Sequence, residues 1–204
     1  MKRKIRIKVP FLALLFALIS ILFLSITTSN KSLEEDNYIE NVEEQQISYP
    51  VINETNKIIY PFSNESVKIG KNYYDYKAEE KEQENSIIIH DNTYYQNTGI
   101  DYVAKDTFDI LAISNGTVTS VKEDAVTGKT VEIKHDNGLI SIYQSLSEVL
   151  VKKDEIVSQA QIIGKSGTNE LDKDLGNHLH IEIYENGISV NPEMYLGKDY
   201  EKKN

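Results

Sequence analysis

Eighteen consecutive residues near the start, Val9–Ile26, read VPFLALLFALISILFLSI, with only Ser20 and Ser25 polar. As a helix rising about 1.5 Å per residue, such a run spans roughly 27 Å, close to the hydrocarbon thickness of a bilayer. Lys2, Arg3, Lys4, Arg6 and Lys8 precede it, and no acid occurs before Glu34. Positive charge beside a membrane span marks the cytoplasmic side, so everything after about Thr27 is expected outside. A cleaved signal peptide shares the basic start, but its apolar centre runs to about 7–15 residues and ends at a small-x-small site. SITTSN is a poor site of that kind. A buried core helix is the third reading, and the flanking charge argues against it. The expectation is an uncleaved single-pass anchor over 9–27 behind a cytoplasmic tail, 1–8.

The charge of the rest narrows its partners. Five of the 22 basic residues lie in the tail, leaving 17 against 32 acidic residues, a net of −15. So acidic a region repels phosphate backbones, and no basic patch interleaved with aromatics appears, which excludes nucleic-acid binding. Cysteine is absent, which removes disulfides, thiolate metal sites and a cysteine nucleophile.

Residues 28–66 read as an acidic spacer. Its periodicity is weak, and Pro50 and Pro61 bar a long helix. A disordered tail is an equal reading of the same composition. From Val67 the texture changes to short β-rich runs between turn signals: 86–90, 108–113, 116–121, 129–134, 139–146, 161–167 and 178–184. His135-Asp136-Asn137-Gly138 separates two of these as a hairpin, with Asn-Gly expected to supply the positive-φ positions. Short strands at this spacing predict an antiparallel all-β sandwich or barrel-like domain over 67–204.

Four histidines occur, at 90, 135, 178 and 180. His178 and His180 stand two apart in a strand, so both imidazoles share a face. Such a pair can place one nitrogen on a metal and the other beside it as acid or base. Taken alone, it is also a pair of polar-face histidines on an exposed strand.

Context adds to the pair. Upstream lies Gln96-Asn97-Thr98-Gly99-Ile100-Asp101, then Tyr143-Gln144-Ser145-Leu146, then His178-Leu179-His180, with Asn191-Pro192 closing. From about Tyr94 to Leu196 this resembles the lysostaphin/LytM-type zinc endopeptidases of bacterial cell walls. Their signature is His-x-Gly-x-Asp, a Tyr-x-His-Leu and a final His-x-His. The resemblance implies their antiparallel β-sandwich, with a core at about 94–196. It places the three zinc ligands on Asn97, Asp101 and His180, and the two catalytic histidines on Ser145 and His178. Asp101, His178 and His180 remain; Asn97 and Ser145 have changed.

The two losses act separately. An amide oxygen is a weak donor for zinc beside an imidazole nitrogen. A hydroxyl does not titrate near pH 7, and general acid–base help is worth about 10²–10⁴-fold. No zinc, no other cofactor and no peptidase activity are therefore expected. His90 ends a different strand, His135 sits at a hairpin and reads as structural, and nothing places Asp91 or Glu182 as a substitute ligand.

An anchor, an acidic spacer and a degenerate domain resemble one branch of that family, the membrane-anchored members of endospore formation. That likeness implies a forespore-membrane protein with its C-terminal domain in the intermembrane space. It also implies a partner, the ectodomain of the mother-cell membrane protein called stage III sporulation protein AH. Together they would tether the two membranes within a transenvelope complex, as a ring-type hetero-oligomer. Two other readings stay open: a metallopeptidase with a rearranged ligand set, and a passive cell-wall binder using the emptied groove.

Overall fold

A computed structural model describes residues 57–200. The expected anchor and residues 28–56 of the spacer lie outside the described residues. Among the described residues, no helix is long and apolar enough to cross a membrane.

The described chain is mostly antiparallel β. In chain order the elements are β1 (Lys68–Lys71), a short helix α1 (Glu80–Asn85), β2 (Ile87–His90), β3 (Thr93–Gln96), β4 (Ile100–Val103), β5 (Asp109–Leu111), β6 (Gly116–Asp124), β7 (Gly128–His135), β8 (Ile140–Val149), β9 (Ile156–Val157), β10 (Ile162–Ser166), β11 (His178–Glu185) and β12 (Ile188–Val190). Ten strands form one hydrogen-bonded network in the order β1-β4-β11-β8-β7-β6-β9; β12 adds to β11, and β10 joins both β5 and the far end of β8. The network is continuous through β8 rather than divided into two separate sheets. β2 and β3 form a ribbon of their own.

Every β-rich run read from the sequence contains a strand, and β1, β3, β4, β9 and β12 are additional. The β7–β8 turn differs from expectation. Only Gly138 takes a positive φ there, +90°; Asn137 instead accepts the Leu139 N–H through its side chain at 3.1 Å. Tight two-residue turns with both positions left-handed occur instead between β2 and β3, at Asp91 and Asn92 (φ 46° and 59°), and between β11 and β12, at Asn186 and Gly187 (φ 53° and 79°).

The central strand β11 is buried on both faces. Leu179, Ile181 and Ile183 point into the main core with Ile100, Tyr102 and Tyr143; His178, His180 and Glu182 point to the other face by strand alternation. The expected boundary at 66/67 moves toward the N-terminus. Lys57 bridges Asp199, Ile58 is fully buried, and the Leu111 N–H donates to the Pro61 carbonyl at 2.9 Å. Phe62 packs edge-on against Tyr102 and Phe108. Residues 57–66 therefore belong to the folded unit, because their apolar side chains complete its core.

Candidate functional site

Register brings the site together. In an antiparallel ladder, directly opposed residues share a face. His180 of β11 is opposed by Asp101 of β4 on one side and by Gln144 of β8 on the other. Ser145 reaches the same face by a different device. Lys129 pairs with Leu146 and Val131 with Tyr143, so Gln144 and Ser145 together oppose one residue of β7. Ser145 takes φ +66°, and this bulge turns Leu146 into the core while sending Ser145 toward His178. Gly99 supplies the remaining room. A Cβ there would lie 2.3 Å from the Ile181 carbonyl oxygen and 2.9 Å from the His180 ring.

Each inherited position is engaged with its neighbours. His180 Nδ1 lies 2.9 Å from Asp101 Oδ1, and its Nε2 lies 3.2 Å from Glu182 Oε1. Glu182 is held further by Thr98 at 2.6 Å and by the Tyr184 hydroxyl at 2.8 Å. Asn97 donates through Nδ2 to Asp101 Oδ2 at 2.8 Å and to the Asn72 carbonyl at 3.0 Å. On the other side, His178 Nδ1 donates to the Gly176 carbonyl at 2.8 Å, which leaves Nε2 to accept from Ser145 Oγ at 2.8 Å. Ser145 Oγ in turn accepts from Asn169 Nδ2 at 2.7 Å.

These contacts set the charges. Burial opposes a proton on His180, but Asp101 and Glu182 outweigh it and raise its pKa well above that of free imidazole. Burial likewise works against the charge on Glu182, yet the bonds from His180, Thr98 and Tyr184 hold its pKa below the usual carboxylate range. The result is a buried imidazolium between two carboxylates. Ser145 and His178 form no hydrolase dyad. Both are fully buried, and a neutral carbonyl stands on His178 Nδ1 where a carboxylate would strengthen the base.

The site is also covered. Lys71 at the end of β1 forms an ion pair with Asp172 at 2.7 Å and donates to the Ile87 carbonyl at 2.9 Å. The strap that follows binds Asn97 twice, at Asn72 and through the Tyr74 N–H at 2.8 Å. Asn97, Asp101, Ser145, His178, His180 and Glu182 are consequently all buried.

The remaining candidates lie elsewhere. His90 and Asp91 pair with each other at 3.5 Å beside the β2–β3 turn. His135 is buried between the Asn115 carbonyl and Ser141, and burial pushes its pKa down to about 4. Reading the sequence missed Glu182 as the countercharge of His180. The signal was its place two residues on, sharing that strand face.

The family model for Peptidase family M23 matches residues 95–192. The chain is 42% identical over 137 residues to stage II sporulation protein Q of Bacillus subtilis, covering 66% of this chain and 48% of that protein. Among solved structures, it matches the one described as the SpoIIQ–SpoIIIAH pore forming complex, at 38% identity and TM-score 0.69, covering 71% of this chain and 94% of that one. The chain belongs to peptidase family M23. Within M23 it is a homologue of the sporulation protein, and it spans about half the length of that Bacillus relative. The catalytic domain of lysostaphin from Staphylococcus simulans, at 22% identity and TM-score 0.50, shares the M23 fold; the match covers 64% of this chain and 92% of that one.

M23 chemistry implies a zinc ion, and the residues here do not fit one. A catalytic zinc needs three protein donors around a position left for water. Asn97 turns an N–H donor, not a lone pair, toward Asp101. Asp101 and His180 are bonded to each other, and the second nitrogen of His180 faces Glu182. Among the described residues, no group of three or more His, Asp or Glu is disposed to hold a metal ion.

Proposed function

We propose that this chain is a non-catalytic, membrane-anchored interaction protein of endospore formation. Its M23 domain binds the ectodomain of stage III sporulation protein AH, SpoIIIAH, across the space between forespore and mother cell, as part of a transenvelope complex. The observation that carries this reading is the likeness to the SpoIIQ chain solved with SpoIIIAH, which extends over nearly all of that chain. The non-catalytic half is supported by the donor set, since one imidazole, one carboxylate and one amide are too few to hold and activate a zinc-bound water. In this reading residues 9–27 anchor the chain in the forespore membrane with the N-terminus cytoplasmic, and residues 28–56 are the spacer.

The test uses the full chain in lipid nanodiscs. Saturable binding of the SpoIIIAH ectodomain is expected. Elemental analysis should find zinc absent from the unsubstituted chain and present in the double variant Asn97→His/Ser145→His. Stoichiometric zinc in the unsubstituted chain, with wall-peptide hydrolysis abolished by His180→Ala, would establish an active peptidase instead. Sedimentation with purified peptidoglycan and no binding to SpoIIIAH would establish a wall binder.

A further inference from the structure

The β2–β3 ribbon presents an apolar face to solvent. Its register pairs Ile89 with Tyr94, and the two side chains are 62% and 73% exposed. Ile88, which points the opposite way, is 4% exposed. The ribbon thus lies with its Ile88 side on the domain and turns the Ile89–Tyr94 pair outward. A two-stranded ribbon is marginally stable without further packing, so an apolar outer face is an unmet opportunity for burial. The segment leading into it is acidic: Glu79, Glu80, Glu82 and Glu84 stand against Lys81, and Asp91 sits at the ribbon's tip.

The ribbon's outward pair precedes the span of the family model and lies within the likeness to the sporulation protein. Ile89 and Tyr94 both precede residue 95, where the family match begins. The likeness to the sporulation protein covers 137 residues, more than the chain holds from Tyr95 to its end, so it runs back through the ribbon. The ribbon is therefore shared with a relative that has been solved in a complex.

We infer that the outward face of the β2–β3 ribbon docks a protein partner through that partner's basic surface. Ile89 and Tyr94 form the desolvated centre of the contact, and the α1 carboxylates form its charged rim. The sign of the rim selects the occupant. Anionic lipid headgroups are repelled, and a second copy of so acidic a chain is disfavoured. A heterologous protein with lysines and arginines around an apolar patch fits. This inference rests on the partner-binding reading above and assigns the surface that performs it.

The experiment measures SpoIIIAH ectodomain binding to the full chain in nanodiscs, with thermal melting of each variant as the fold control. Ile89→Ser/Tyr94→Ser is expected to weaken binding at least tenfold. Glu80→Lys/Glu82→Lys/Glu84→Lys, all at exposed positions, should slow association and flatten its dependence on salt. Ile156→Ser, at an 81% exposed residue of β9, should bind within twofold of the unsubstituted chain. If the ribbon variant melts early, the triple lysine variant decides alone. Ribbon and lysine variants that both bind like the unsubstituted chain would overturn this surface and leave the partner reading standing. Loss of self-association with partner binding intact would assign the face to a second copy and equally overturn it. An unsubstituted chain that fails to bind SpoIIIAH would overturn the function itself, and this surface with it.

Discussion

His180 takes its position from two neighbours of opposite character. Gly99 leaves the volume its ring occupies, and Glu182 supplies a second countercharge, at the ring nitrogen that Asp101 does not bond. Removing one partner of a buried ion pair is costly because the other charge stays buried. Glu182→Gln keeps the shape and is expected to lower stability by about 2–3 kcal/mol, read as a shift in urea midpoint at pH 7. His135 offers a second test, on the core side of the sheet. Its folded pKa of about 4 lies below the ordinary value of 6.5, so its neutral form is the one the fold favours. Stability from this group is full above pH 6.5 and falls as pH drops toward 4, where the folded form is protonated too. Over that window the loss amounts to about 3 kcal/mol. In His135→Gln, urea midpoints should start lower at pH 7 and decline less steeply through the same window.

At the scale of elements, β1 and its strap act on the site from outside the family span. Gly70 permits the close approach of β1, since a Cβ there would lie 2.5 Å from a methyl of Val103. Lys71 then fixes the strand to Asp172 and to β2. Lys71→Met should loosen the strap, and hydrogen exchange at the Tyr74 and Asn97 amides should quicken about tenfold while that of β11 stays unchanged. Much of this level was legible in the sequence. Alternation in HLHIEIY put His178 and His180 on one face, and the family resemblance carried by Asn97-x-Gly99-x-Asp101 grouped Asp101 with His180, which the structure joins at 2.9 Å. The bulge at Ser145 went unread: Gln144 and Ser145 break the alternation between Tyr143 and Leu146, but no glycine is there to mark a left-handed residue. The strap also escaped notice, since a short stretch such as Asn72–Tyr74 shows no periodicity and draws its order from distant contacts.

At the largest scale, the folded unit of described residues joins its two ends. The Ile58 N–H donates to the Lys198 carbonyl at 2.9 Å, and the Gly197 N–H donates to the Ile58 carbonyl at 2.7 Å. Tyr200 packs at a tilt against Tyr195 and donates to Glu185 at 2.7 Å. Truncation after Gly197 removes the Lys198 and Tyr200 contacts and should cost about 2 kcal/mol or more, visible as a lower melting temperature. The sequence hid this closure because Ile58 lies in a stretch whose acidity and prolines read as linker.

That closure also determines where a mechanical load would fall. Tension entering the domain through residue 56 reaches the Lys57–Asp199 bridge first, and Ile58 behind it is fully buried. Peeling the first two residues therefore opens the core to water at once, so the domain should resist a small tug without stretching and then give way abruptly.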